Sequence, residues 1–222
     1  MSAKQMLWVV AVVAVGMVCW AGSAQASLIN VDFNGTSSPN NYTGAAVLGS
    51  AGDTWNYISF PEGWDSVPTI PSLVDSTGSP ISPTFSYIGV AHNCFNPWGQ
   101  GTNALTGDYL GLWGGGPANA TVAVSGLAPG SYQVCVFGYG VSFSVNGSTP
   151  IQLDGIAGKD TAAFTSGSNY VLTNATVDGS GTITIVATGG GGFGGFQIMP
   201  EPATMALLGL GGLGVLLGRK RR

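Results

Sequence analysis

Positive charge is what this chain has least of. Only six of its 222 residues are Lys or Arg, and five of those stand at the ends: Lys4, then Arg219, Lys220, Arg221 and Arg222. Between residues 27 and 199 the single base Lys159 faces nine acids, a formal charge of −8 that the overall −4 conceals. A body with no basic stripe has no electrostatic footprint for a phosphate backbone, so nucleic-acid binding is excluded. Histidine is nearly absent as well. His92 is the only one, beside three cysteines, too few imidazoles and thiolates to close a zinc site. No Gly-x-Ser-x-Gly elbow offers His92 a nucleophile, and the glycine-rich run 189–195 lacks the lysine of a phosphate loop. Glutamate is equally scarce, with Glu62 alone in the body. Glycoside hydrolysis needs two carboxylates flanking the bond. Glu62, in Pro61-Glu62-Gly63-Trp64-Asp65, with an aspartate as partner is the one such arrangement available. The expectation is a protein that is not an enzyme; the alternative is a secreted polysaccharide-acting hydrolase using Glu62 and an Asp.

What is present begins with two addresses. Lys4, the apolar run from Met6 to Ala21 and the small-x-small triplet Ala24-Gln25-Ala26 before Ser27 have the order of a secretory signal peptide, residues 1–26. Cleavage between Ala26 and Ser27, after passage through the Sec export machinery, follows from it. At the other end, residues 199–222, Pro200-Glu201-Pro202 precede Ala203-Thr204-Met205, an apolar run from Ala206 to Gly218 and the basic stop Arg219, Lys220, Arg221 and Arg222. The 16 residues from Ala203 to Gly218 make a helix of about 24 Å, short of a hydrocarbon core of about 30 Å. Bases that follow such a run stay on the cytoplasmic side. The segment reads as a transmembrane helix that halts marginally in the bilayer.

This order of Pro-Glu-Pro, short apolar helix and Arg-rich end resembles the PEP-CTERM sorting signal of Gram-negative bacteria. The resemblance implies that an exosortase, a membrane protease, is a partner and reads Pro200, Glu201 and Pro202. It also implies an inner-membrane intermediate, then delivery to the cell surface or extracellular matrix.

The body, residues 27–198, alternates apolar and polar residues in short runs between turn signals, the pattern of an all-β fold. Ile29, Val31 and Phe33 alternate with Asn30 and Asp32 and end at Asn34-Gly35. Val122 and Val124, then Val141, Phe143 and Val145, then Ile183, Ile185 and Ala187 repeat the alternation, and Asn146-Gly147 is a strong turn signal. Phe196 and Ile198 suggest a last strand after the glycine run. Leu127-Ala128-Pro129-Gly130-Ser131-Tyr132 resembles the corner that opens a strand in bacterial β-sandwich modules, where the Tyr hydroxyl ties to upstream backbone. The expected architecture is an antiparallel jelly-roll-like β-sandwich between an N-terminal signal helix and a C-terminal hydrophobic helix. Leu28 to Phe33 should pair with the segment around Phe193 to Met199, leaving Pro200 just outside the body.

After signal removal two cysteines remain, and in an oxidising compartment a Cys94–Cys135 disulfide is expected. No cofactor and no defined metal site are expected. Hard oxygen donors suit a structural calcium, with Asp154 and Asp160 bracketing a loop and Asp32 and Asn34 ending the first strand, yet no calcium motif singles out a ligand set. Trp55, Trp64, Trp98 and Trp113 lie in the Gly- and Asn-rich half and are the candidate saccharide contacts, since aromatic faces stack on sugar rings. The functional expectation is an exported structural or adhesive surface protein, with extracellular polysaccharide as the candidate partner.

Overall fold

In the computed structural model, which describes residues 27–35, 41–60, 70–89, 104–107, 109–112, 119–154 and 163–201, the alternating runs become strands. They are β1 (Ile29–Gly35), β2 (Asn56–Phe60), β3 (Thr84–Gly89), β4 (Leu110–Gly111), β5 (Asn119–Ser125), β6 (Gly130–Val145), β7 (Ile151–Gln152), β8 (Tyr170–Val177) and β9 (Thr182–Pro200). One helical turn, α1 (Ala104–Gly107), is the only helix among the described residues. The fold is all-β.

Two strands are far longer than the rest and organise the others. β6 and β9 run antiparallel from Tyr132 opposite Pro200 to Val145 opposite Ile185. At one end of this ribbon β8 flanks β6, while β1 and then β2 flank β9. At the other end β7 flanks β6, while β5 and then β3 flank β9. The ladder is irregular between Phe137 and Gly138 and between Tyr139 and Val141, and such bulges bend a strand. Backbones come too close there for a side chain: a Cβ on Gly191 would lie 2.0 Å from the Tyr139 carbonyl oxygen, and one on Gly195 2.2 Å from that of Val31. The glycine run is thus inside β9, where a last strand beginning after it was expected.

The bend curls the sheet around its core. β1 and β5 share one edge of β9, with Asp32 opposite Gly195 and Val124 opposite Ile183, positions that a straight strand would hold about 40 Å apart at about 3.3 Å per residue. Instead the Phe60 ring of β2 lies 5.4 Å from Tyr87 of β3, and Phe33 of β1 lies 6.1 Å from Phe85. Phe33 also meets Phe60, Phe193 and Phe196. The alternating apolar residues of both ends therefore share one core.

Val31 stands opposite Phe196 and Ile29 opposite Ile198, the expected pairing of first and last segments. Two corner motifs also form as read. The Tyr132 hydroxyl donates to the Ala128 carbonyl at 2.8 Å. Asn146 and Gly147 both take positive φ, 48° and 73°, with Ser148 N–H closing the turn onto the Val145 carbonyl.

Other details differ from expectation. The β1–β2 pair is parallel, because residues 41–55 cross over one face of the sheet before β2 begins. β9 continues through Pro200, so the body does not end before the sorting motif. The two expected flanking helices, one within the signal at 1–26 and one from Ala203 to Gly218, fall outside the described residues. Among the described residues no helix is long and apolar enough to cross a membrane.

Candidate functional site

The sorting motif starts on the sheet. Pro200 is the last residue of β9, opposite Tyr132, and the Glu201 N–H donates to the Ser131 carbonyl at 2.8 Å. Proline is tolerated at a strand end, where the missing N–H breaks no further ladder bond. Both residues are half-buried. Their place is a correction to the expectation that Pro200 lies clear of the body; the register that pairs β1 with β9 also draws Pro200 onto β6. Ser27 is half-buried and lies two residues before β1 begins, so the Ile29–Ile198 pairing brings the start of the body and the sorting motif to one end of the sheet. Ala24, Ala26, Pro202, Arg219, Lys220, Arg221 and Arg222 lie outside the described residues.

Trp55 cannot offer a face to a sugar. It is only 4 % exposed, its indole N–H donates to the Gly44 carbonyl at 3.1 Å, and its ring meets Tyr42 edge-on at 5.0 Å. It plugs a second apolar cluster with Leu28, Leu48, Leu105, Cys135 and Phe137, on the face of the sheet opposite the main core. Trp64, Trp98 and Trp113 lie outside the described residues. Cys135 is a free thiol at 0 % exposure in that same cluster, and burial pushes it far above the usual thiol range. No disulfide is seen among the described residues, and Cys94 lies outside them.

The described carboxylates do not converge. Among the described residues no three His, Cys, Asp or Glu side chains group together. Asp75 accepts from the Thr77 hydroxyl and from the Thr77 and Ser79 N–H groups, which hold its carboxyl below the usual range. Asp178 is lowered in the same way by Ser180. These acids shape turns. Asp154 is exposed, while Glu62, His92 and Asp160 lie outside the described residues.

What sequence reasoning missed is a buried polar layer. Asn30, Asp32 and Asn34 alternate with the core residues of β1 and so point to the other face, where alternation alone reads as solvent. All three are instead buried, as is Gln197, because residues 41–55 cover them; Asn56, opposite Val31 on β2, is buried on the core side of the sheet. Their bonds cross between elements. Gln197 Nε2 donates to the Asn30 side-chain oxygen at 2.8 Å and to the Leu48 carbonyl at 2.7 Å, while its Oε1 accepts from Leu48 N–H at 2.9 Å. Asn30 Nδ2 donates to the Thr54 carbonyl at 3.0 Å. Asn56 Nδ2 donates to the Asn30 and Val74 carbonyls, and its Oδ1 accepts from Val74 N–H, all at 2.8 Å. At the end of the row Asp32 Oδ2 accepts from Tyr42 N–H at 2.9 Å and from Asn34 Nδ2 at 3.1 Å. Burial, and then the Asp32 charge, raise the phenols of Tyr42 and Tyr57. The apolar Ala45-Ala46-Val47-Leu48 stretch, which had to cover something, was the signal available in sequence.

A protein-family model, the PEP-CTERM protein-sorting motif, matches residues 200–222. No curated protein and no solved structure matches the chain. The matched motif begins at the proline that closes β9, so the family assignment and the geometry meet at one residue. The chain is a PEP-CTERM domain-containing protein.

Proposed function

We propose that this chain is an exosortase substrate, exported through the Sec machinery, held briefly in the inner membrane by its C-terminal helix and then passed to the cell surface or extracellular matrix. There it serves as a structural or adhesive component rather than an enzyme, with extracellular polysaccharide as its partner. The observation that carries the reading is the sorting motif at 200–222, joined directly to the last strand. The nearness of Ser27 to Pro200 supports it: both addresses leave one end of the body, as a body held at one membrane surface requires.

The polysaccharide part has a separate support. The outer face of the β3-β5-β9-β6 end mixes short hydroxyl side chains with apolar ones. Thr84, Ser125 and Thr182 form one row, and Ile88, which is 69 % exposed, Thr121, Val186 and Ser144 form another. Thr182 Oγ1 donates to Ser125 Oγ at 3.1 Å. Neither row carries a charge to repel an acidic glycan, and its hydroxyls can hydrogen-bond one. The curl of the single sheet around one core supports reading the body as jelly-roll-like.

Glu201→Ala, or deletion of residues 219–222, is expected to leave full-length precursor in the membrane fraction of a host with the cognate exosortase. Normal processing of both variants would sink the sorting reading. A glycan array probed with the processed protein tests the partner: binding to neutral or acidic polysaccharide supports it, and a blank array removes it.

A further inference from the structure

We propose that the end of β1 is a binding site for a divalent cation of the calcium class, held by the Asp32 carboxylate and the side-chain oxygen of Asn34. A buried polar layer lies behind the sheet. Buried polar atoms are almost always paired, since an unpaired one costs about 1–3 kcal/mol. This layer obeys that rule along most of its length. Each side-chain oxygen and amide group of Asn30 and Gln197 has a partner at 2.7–3.0 Å.

The row departs from the rule at its Asp32 end. Asn34 is 0 % exposed, its Nδ2 spends itself on Asp32 Oδ2, and its Oδ1 is buried with no hydrogen-bond partner. Asp32 and Asn34 are two apart on one strand, so their side chains leave the same face and stand side by side. A carboxylate beside an amide that can turn its oxygen inward is a pair of hard donors. Turned so that its oxygen faces Asp32, the Asn34 amide would give up its bond to Asp32 Oδ2 and bring its now partnerless oxygen, together with the carboxylate, onto the cation. Neither a soft ligand nor a histidine takes part, which disfavours zinc and copper. Calcium accepts irregular oxygen shells, whereas magnesium demands near-octahedral geometry and keeps its waters. The predicted ion is structural: it would fasten the covering segment, through Tyr42, to the strand that pairs with β9.

The test uses terbium as a luminescent calcium substitute on the full-length chain, purified in detergent and stripped with EGTA. Tyr42 N–H touches Asp32 at 2.9 Å, and the Tyr42 ring lies 5.0 Å from Trp55, so aromatic excitation should sensitise an ion bound there. One terbium per chain is expected, displaced by calcium and not by equimolar magnesium. Asp32→Asn should abolish the emission. Should Asp32→Asn fail to fold, Asn34→Asp decides the matter. A second carboxylate should tighten calcium binding about tenfold or more, while lowering the melting temperature in EGTA through like-charge repulsion. Absent terbium emission, emission unchanged by both substitutions, or an Asn34→Asp chain no more stable in calcium than in EGTA would each overturn the site.

Discussion

At the scale of single residues, burial decides which groups keep their ordinary chemistry. Cys135 sits among Leu28, Trp55, Leu105 and Phe137, where the thiolate is disfavoured because no solvent reaches it. In the folded chain Cys135 should therefore alkylate about a hundredfold or more slowly than in guanidinium at the same pH, by mass spectrometry, because reaction must wait for opening. Equal rates would place the thiol at the surface. Two turn aspartates behave in the opposite way. Thr77 and Ser180 donate to Asp75 and Asp178, favouring the ionised forms. A carboxyl whose pKa is lower folded than unfolded contributes stability above the unfolded value. That contribution is lost as pH falls through the folded one. The two aspartates should thus leave stability flat between about pH 5 and 8 and weaken it only below about pH 4. Carboxyl resonances followed by NMR should titrate lower in the folded chain than in the unfolded one.

At the scale of elements, the β6–β9 ribbon carries the fold, and its bend depends on bare backbone. Gly195 takes no unusual φ, yet its missing Cβ leaves room for the Val31 carbonyl that β1 brings to within 2.2 Å of that position. Gly195→Ala should cost at least about 2 kcal/mol in urea unfolding, since neither backbone can yield without breaking a ladder. Gly179→Ala, where an added Cβ meets nothing within 4 Å, should change stability by less than about 0.5 kcal/mol. Similar losses in the two variants would refute the steric account.

At the scale of the whole molecule, the sheet and the sorting signal share residues. Pro200 lies opposite Tyr132 and Glu201 is bonded to Ser131, so a protease that reads Pro200-Glu201-Pro202 meets a motif partly engaged by the body. Inserting four Gly and Ser residues between Met199 and Pro200 should move the motif off β6 without disturbing β1 or β9. Pulse–chase labelling in an exosortase host should then show the tail removed several-fold faster. Unchanged kinetics would mean that the last residues fray freely before cleavage.

Local chemistry by itself determined the strands whose two faces differ, the Asn146-Gly147 turn, the Tyr132 corner and the sorting motif. Each depends on neighbours in sequence: alternation, a residue able to take positive φ, a hydroxyl four residues from its acceptor, an ordered tripeptide. The pairing of β1 with β9 was legible too, because both ends alternate and need a partner. Only tertiary structure decided the rest. Asn30, Asp32 and Asn34 have the spacing of a solvent-facing row, and they are buried because residues 41–55 happen to fold over them. Trp55 became a plug instead of a platform for the same reason. The glycine run was read as a break, since glycine weakens a strand in isolation. It became strand because β6, β4 and β1 press against it, and a Cβ at Gly191, Gly192 or Gly195 would collide with its neighbours. Contacts between residues distant in the chain leave no local pattern, and the candidate cation site, built where one strand meets its cover, is made of such contacts.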